Sequence, residues 1–168
     1  MADPLTPEQR HRCMSRIRAK DTKPEMLVRR YLHSRGFRYR LNVRRLPGTP
    51  DIVLRKYKTA IFIHGCFWHG HEGCRLYVPP KSNTHYWTEK ISRNIERDTI
   101  ACAKLHQLGW HTVVIWECQL KPHERDNTLS HLEYILSTTY LNDRRTNRPK
   151  PYATPEEQQI YMAAEEMP

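Results

Sequence analysis

The chain has 168 residues, enough for one domain around a single core, and carries 28 Lys and Arg against 18 Asp and Glu, a formal net charge of +10. That excess favours a polyanionic partner, because every neutralised phosphate releases a condensed counterion. There is no run of about 18 apolar residues to span a membrane, and residues 1–12 lack the apolar core and cleavage site of a signal peptide, so a cytoplasmic protein with reduced thiols is expected.

Thr6-Pro7-Glu8-Gln9 is a capping box with proline at the first helical position and predicts a helix to about Ala19. Thr22-Lys23-Pro24-Glu25 is a second box, opening a helix that carries Leu27, Tyr31 and Leu32 on one face and stops at Gly36. Phe37 to Val43 alternates apolar and basic residues, the period of a half-buried strand. A turn at 46–50 (LPGTP) leads into a strand at Asp51-Ile52-Val53-Leu54, a basic hairpin connection at 55–58, and a buried strand at 59–64 (TAIFIH).

Residues 65–81 have no period and are rich in Cys, His, Gly and Pro, which predicts an irregular loop held by something other than apolar packing. From Tyr86 to Leu108, Trp87, Ile91, Ile95, Cys102 and Leu105 recur at helical spacing, closed by Gly109. Residues 112–116 (TVVIW) read as another buried strand, and Leu129, Leu132, Ile135, Leu136 and Tyr140 mark a final amphipathic helix. The order predicts an α/β fold with a mixed central sheet flanked by helices. A single domain over 1–141 would be followed by a polar, Pro-rich tail over 142–168, with a short helix at the box Thr154-Pro155-Glu156-Glu157.

The five cysteines (Cys13, Cys66, Cys74, Cys102, Cys118) are an odd number and argue for metal ligation rather than disulfides. Two cysteines and three histidines fall within HGCFWHGHEGC at 64–74, a set suited to tetrahedral zinc. Cys118, just past TVVIW, is the natural fourth donor, since adjacent strands end at the same sheet edge. Cys66, His71, Cys74 and Cys118 would then make a closed, structural site, the alternative being a Cys/His-rich loop by accident. His64 and His69 remain free, as a general base or acid or as surface imidazoles.

Pro50-Asp51 before a strand, with a second strand about ten residues on, matches the metal-binding arrangement of restriction-endonuclease-like nucleases, although turn chemistry alone also explains it. The Glu-x-Lys usual on the second strand is missing from TAIFIH. Glu25 is accounted for by its capping box or by catalysis. Phe67 and Trp68 either pack beneath the loop or wedge between base pairs.

At GTPDIV, IFIHGCFWHGH, YWTEKISRNIERD and LGWHTVVIWEC the sequence resembles the very-short-patch-repair (Vsr-type) DNA mismatch endonucleases, in order from about residue 8 to 140. The resemblance implies a restriction-endonuclease-like fold with structural zinc, and a Mg²⁺-dependent nick on the 5′ side of the thymine in a T:G mismatch. It implies Asp51 as Mg²⁺ ligand with the main-chain carbonyl of Ile63, where relatives often carry Thr. His69 would be the general base, with Glu25 and His64 around the metal-bound water, and Cys66, His71, Cys74 and Cys118 would hold zinc. Met14, Phe67 and Trp68 would insert into DNA, with Trp87 near the site and the first helix contacting DNA. The implied partners are double-stranded DNA with a T:G pair and mismatch-repair proteins, for a nucleoid-associated monomer. The alternatives are a nicking or restriction-type endonuclease without mismatch preference, and a non-enzymatic zinc-stabilised DNA-binding module.

Overall fold

A computed structural model of the chain describes residues 20–146, together with Thr6, Glu8, Gln9, Arg12 and Ser15. Met14, Cys13 and the expected helix near Thr154 lie outside the described residues. Glu8, Gln9, Arg12 and Ser15 are helical. The first capping box is reciprocal: the Gln9 N–H donates to Thr6 Oγ1 at 3.3 Å and the Thr6 N–H to Gln9 Oε1 at 3.0 Å.

Helix α1 spans Lys23–Ser34 and starts at the Thr22 cap. Gly36 follows at φ +79°. Its most buried residues are Glu25, Val28, Arg29 and Leu32, whereas the expected Leu27 and Tyr31 only flank the core. The buried face is rotated because Glu25 and Arg29 satisfy each other's charge one turn apart, so both can turn inward. Strand β1 shrinks from the expected 37–43 to Arg40–Leu41. The alternation there is real, but Phe37 leaves the ladder to enter the core and Asn42 breaks it at φ +46°.

Strand β2 (Ile52–Leu54) and strand β3 (Thr59–His64) form the expected hairpin across a turn of 3₁₀ helix at Arg55–Tyr57. Helix α2 runs Thr84–Gln107, strand β4 His111–Trp116 and helix α3 Arg125–Thr146. The sheet order is β1-β2-β3-β4, antiparallel except for the parallel β3–β4 pair, a mixed sheet as expected. Helix α3 continues past Leu141 to Thr146.

Alternation along β3 assigns the two faces. Ile61 joins Val28 and Leu32 of α1, Ile52 and Leu54 of β2, and Leu132 and Leu136 of α3 in the main core. Ala60 and Phe62 point the other way, onto Leu105 of α2. The sheet is thus covered by α1 and α3 on one side and by α2 on the other.

Strand β4 differs from the expected buried strand. It is a sheet edge on which only Ile115 is buried, while Val114 is 37% exposed. An apolar run such as VVI does not distinguish a central strand from an edge strand with one covered face. Ile115→Ala should therefore cost about 2–5 kcal/mol through the cavity it leaves, and Val114→Ala roughly 0.5 kcal/mol or less. Urea melts of the two variants check this, and equal losses would contradict the edge assignment.

Candidate active site and metal centre

The hairpin β2–β3 brings the start of β2 beside the end of β3, where a cleft of about 1110 Å³ opens. Glu25, Asp51, Ile63, His64, His69 and Asp98 all line it. The turn before β2 lies close against α2. A Cβ on Gly48, itself at φ +72°, would sit 2.7 Å from the Ala101 Cβ, so only glycine permits this approach.

The Ile63 N–H donates to Asp51 Oδ2 at 2.8 Å and fixes that carboxylate at the cleft. Burial raises the Asp51 carboxyl above its ordinary range. The Ile63 N–H opposes this, Glu25's charge adds to it, and Arg29 and His69 oppose it. Glu25 is buried, with Thr22 Oγ1 donating to its Oε1 at 2.9 Å and the Asp21 N–H to its Oε2 at 3.1 Å. Two carboxylates facing one cleft make a hard-oxygen set of the kind Mg²⁺ takes, and their mutual repulsion favours a bound cation.

His64 and His69 are stacked, with ring centroids 3.8 Å apart and 7° between planes. His69 Nδ1 lies 2.5 Å from Asp98 Oδ2. If Nδ1–H is the donor, Nε2 keeps its lone pair and can accept a proton. Burial tends to raise the Asp98 carboxyl, but the His69 hydrogen bond and the charges of His69, His64 and Arg97 outweigh it and hold it below its usual range. His64 is lowered to about 4, first by burial and then by the facing His69. His64, His69 and Asp98 could by distance hold a metal ion. In-plane lone pairs of parallel rings do not converge on one point, however, and this arrangement suits proton transfer better than ligation.

The four sulfur and nitrogen donors expected together do meet. Ligand atoms of Cys66, His71, Cys74 and Cys118 lie within 4.8 Å of one another, with Cys118 Sγ 3.4 Å from His71 Nδ1. The parallel register pairing His64 with Trp116 sets Cys66 and Cys118 level, each two residues past its strand. Without a cation, burial pushes the Cys66 thiol up to about 12 and raises Cys118, whereas the Leu76 N–H holds Cys74 below the usual thiol range. Three thiols and an imidazole at this spacing fit zinc, which would displace those protons.

Gly70 separates the two sites. It has φ +62°, and a Cβ there would lie 2.8 Å from Ile95 Cδ1 of α2. This reversal turns His69 towards Asp98 and His71 towards the cysteines. Trp116 stands between them, its ring centroid 4.1 Å from that of His71 in a stack and 5.4 Å from that of His64 at 75°.

Phe67 and Trp68 are half-buried and pack edge to face on each other at 5.2 Å, and Phe67 meets Trp87 at 5.3 Å. They belong to an aromatic cluster between the loop and the start of α2, rather than to the core. Asn94 Nδ2 donates to the Trp68 carbonyl at 2.9 Å and ties the loop to α2.

Sequence reasoning missed Asp98, Asn94, Trp116 and Arg29. Asn94 and Asp98 are one helical turn apart inside NIERD, and that polar pair on one face was the available signal. Nothing in the sequence announced that Trp116 would stack on a candidate metal ligand.

His64 gives a pH prediction. Its folded pKa of about 4 lies below its ordinary 6.5, so between these values the unfolded chain binds more protons and stability falls as pH falls. The stability difference between wild type and His64→Asn should shift against the wild type from pH 6.5 to 4 in urea melts. A constant difference would contradict a buried, neutral His64.

A profile of the family described as DNA mismatch endonuclease Vsr matches residues 2–75. The chain is 52% identical over 121 residues to a protein of Neisseria meningitidis serogroup A named Type II nicking enzyme V.NmeAIP, covering 72% of this chain and 86% of that one. It is 49% identical over 120 residues to Type II nicking enzyme V.XorIIP of Xanthomonas oryzae, covering 71% and 88%. It is 39% identical over 125 residues to the DNA mismatch endonuclease Vsr of Escherichia coli, covering 74% and 80%. With identities of this size over more than two thirds of its length, the chain belongs to the Vsr family and is a DNA endonuclease.

Proposed function

We propose that this endonuclease nicks one strand of duplex DNA on the 5′ side of the thymine in a T:G mismatch, with Mg²⁺ in the cleft and zinc on the four-donor site. The observation that carries the reading is the single cleft in which an anchored Asp51 faces the His69–Asp98 pair. Asp51 and the main-chain carbonyl of Ile63 would hold the catalytic cation, with Glu25 and His64 beside them in the cleft. Bound Mg²⁺ supplies neutralising charge to the scissile phosphate as negative charge builds in the transition state. His69 accepts the proton of the attacking water at Nε2, and Asp98 holds the ring's orientation and offsets the charge it gains. A carbonyl and an imidazole thereby replace the missing Glu-x-Lys.

Mismatch choice rests on Phe67 and Trp68, which pack against Trp87 and of which Trp68 lines the cleft, entering a step that a wobble pair makes easier to open. The name of the Escherichia coli relative supports the mismatch reading. The names of the Neisseria and Xanthomonas relatives state nicking alone, and the second reading is nicking without mismatch preference. End-labelled matched and T:G duplexes incubated with the protein and Mg²⁺ separate the two.

Asp51→Ala should lower the nicking rate roughly 10³-fold or more while leaving T:G duplex binding intact or slightly tighter, since an acid next to phosphate is removed. Gel-shift and single-turnover assays read both quantities, and near-normal cleavage would show another carboxylate to be the ligand. Trp68→Ala should reduce the T:G-over-matched affinity ratio by roughly tenfold with little change in melting temperature. A large drop in melting temperature with an unchanged ratio would make Trp68 a packing residue.

A further inference from the structure

Arg29 is a buried cation that the mechanism above does not use. Its side chain is 5% exposed, and its guanidinium forks between two carboxylates, Nη2 to Glu25 Oε2 at 2.6 Å and Nη1 to Asp21 Oδ1. Nη1 also lies 3.7 Å from Met26 Sδ, the main-chain carbonyl of Arg29 accepts from Tyr39 OH at 3.1 Å, and Nε is buried without a hydrogen-bond partner. Burying a guanidinium and leaving one of its N–H groups unpaired is costly. A capping box does not require that, because Thr22 Oγ1 and the Asp21 N–H already satisfy Glu25 at the helix start.

We infer that Arg29 is a positioning residue for the metal end of the cleft: its fork fixes the Glu25 carboxylate in the one orientation that serves a cation at Asp51. The inference rests on the reading of Asp51 as metal ligand. Asp21, Glu25 and Asp51 all line the cleft and together carry three negative charges. Arg29 offsets one of them from behind, out of reach of the phosphate. A planar fork offers separate N–H groups to the two acids in a fixed geometry, whereas a lysine ammonium is a compact, rotating donor that does not fix either carboxylate's orientation.

The test uses full-length protein and Mn²⁺ as probe, with free Mn²⁺ followed by electron paramagnetic resonance in the absence of DNA and the Mg²⁺ midpoint for nicking measured separately. Arg29→Met leaves one more unbalanced acid, which by itself attracts a cation, but it should still weaken Mn²⁺ binding and raise the Mg²⁺ midpoint by roughly tenfold or more because Glu25 loses its fixed orientation, with the nicking rate at saturating Mg²⁺ changed far less. Arg29→Lys should fall between Met and wild type. Combining Arg29→Met with Glu25→Gln should add little to either change alone, because both act through one carboxylate. Should Arg29→Met fail to fold, Arg29→Lys alone and with Glu25→Gln carries the same comparison. Unchanged metal affinity in a folded Arg29 variant, or full additivity with Glu25→Gln, would overturn the inference. Asp51→Ala is the control for the reading beneath it: Mn²⁺ binding that survives Asp51→Ala would remove the metal site itself, whereas loss there with no effect of Arg29 would remove only the role of Arg29.

Discussion

The parallel pairing of β3 with β4 is the constraint on which the site depends. With Ile63 opposite Ile115 and His64 opposite Trp116, both strands end at one edge, and the chain that leaves each carries donors for the same point in space. Cys66 follows one strand and Cys118 the other. A loop from 65 to 81 without helix or strand is thereby held at both ends of its functional stretch, by the four-donor cluster at the sheet edge and by α2. A slip of one residue would turn His64 and Phe62 away from α2 and separate the cysteines.

Helix α2 is the second support. Asn94 and Asp98 hold the Trp68 carbonyl and the His69 ring from one face, and Ile91 and Ile95 crowd the backbone at Gly70. The candidate base is therefore positioned by a long helix packed on the sheet, although it resides in an irregular loop. The aromatic cluster at Phe67, Trp68 and Trp87 stands where loop and helix meet.

Much of this was legible in the sequence where local chemistry decides structure. The capping boxes at Thr6 and Thr22, the buried run TAIFIH, the glycine closing α2 and the Cys/His spacing each have a local physical cause, and each appears where the pattern put it. Tertiary context decided the rest. The β4 edge, the early end of β1 and the inward turn of Arg29 depend on what packs beside them, which periodicity does not encode. Asp98 lay in a motif that marked the family without stating its role, because its partner is 29 residues away in sequence.

Among the described residues two clusters have metal-ligating residue types beyond Asp51, and we propose different work for them: Cys66, His71, Cys74 and Cys118 to hold zinc, and His64, His69 and Asp98 to handle a proton. Anomalous diffraction from crystals grown with Mn²⁺, collected at the zinc and manganese edges, tests this assignment most directly. The account predicts zinc bonded to the four-donor cluster at about 2.0–2.3 Å and manganese at about 2.1 Å from an Asp51 oxygen, with the His69–Asp98 hydrogen bond intact. A manganese or zinc peak bonded to His64, His69 and Asp98, with none at Asp51, would contradict it.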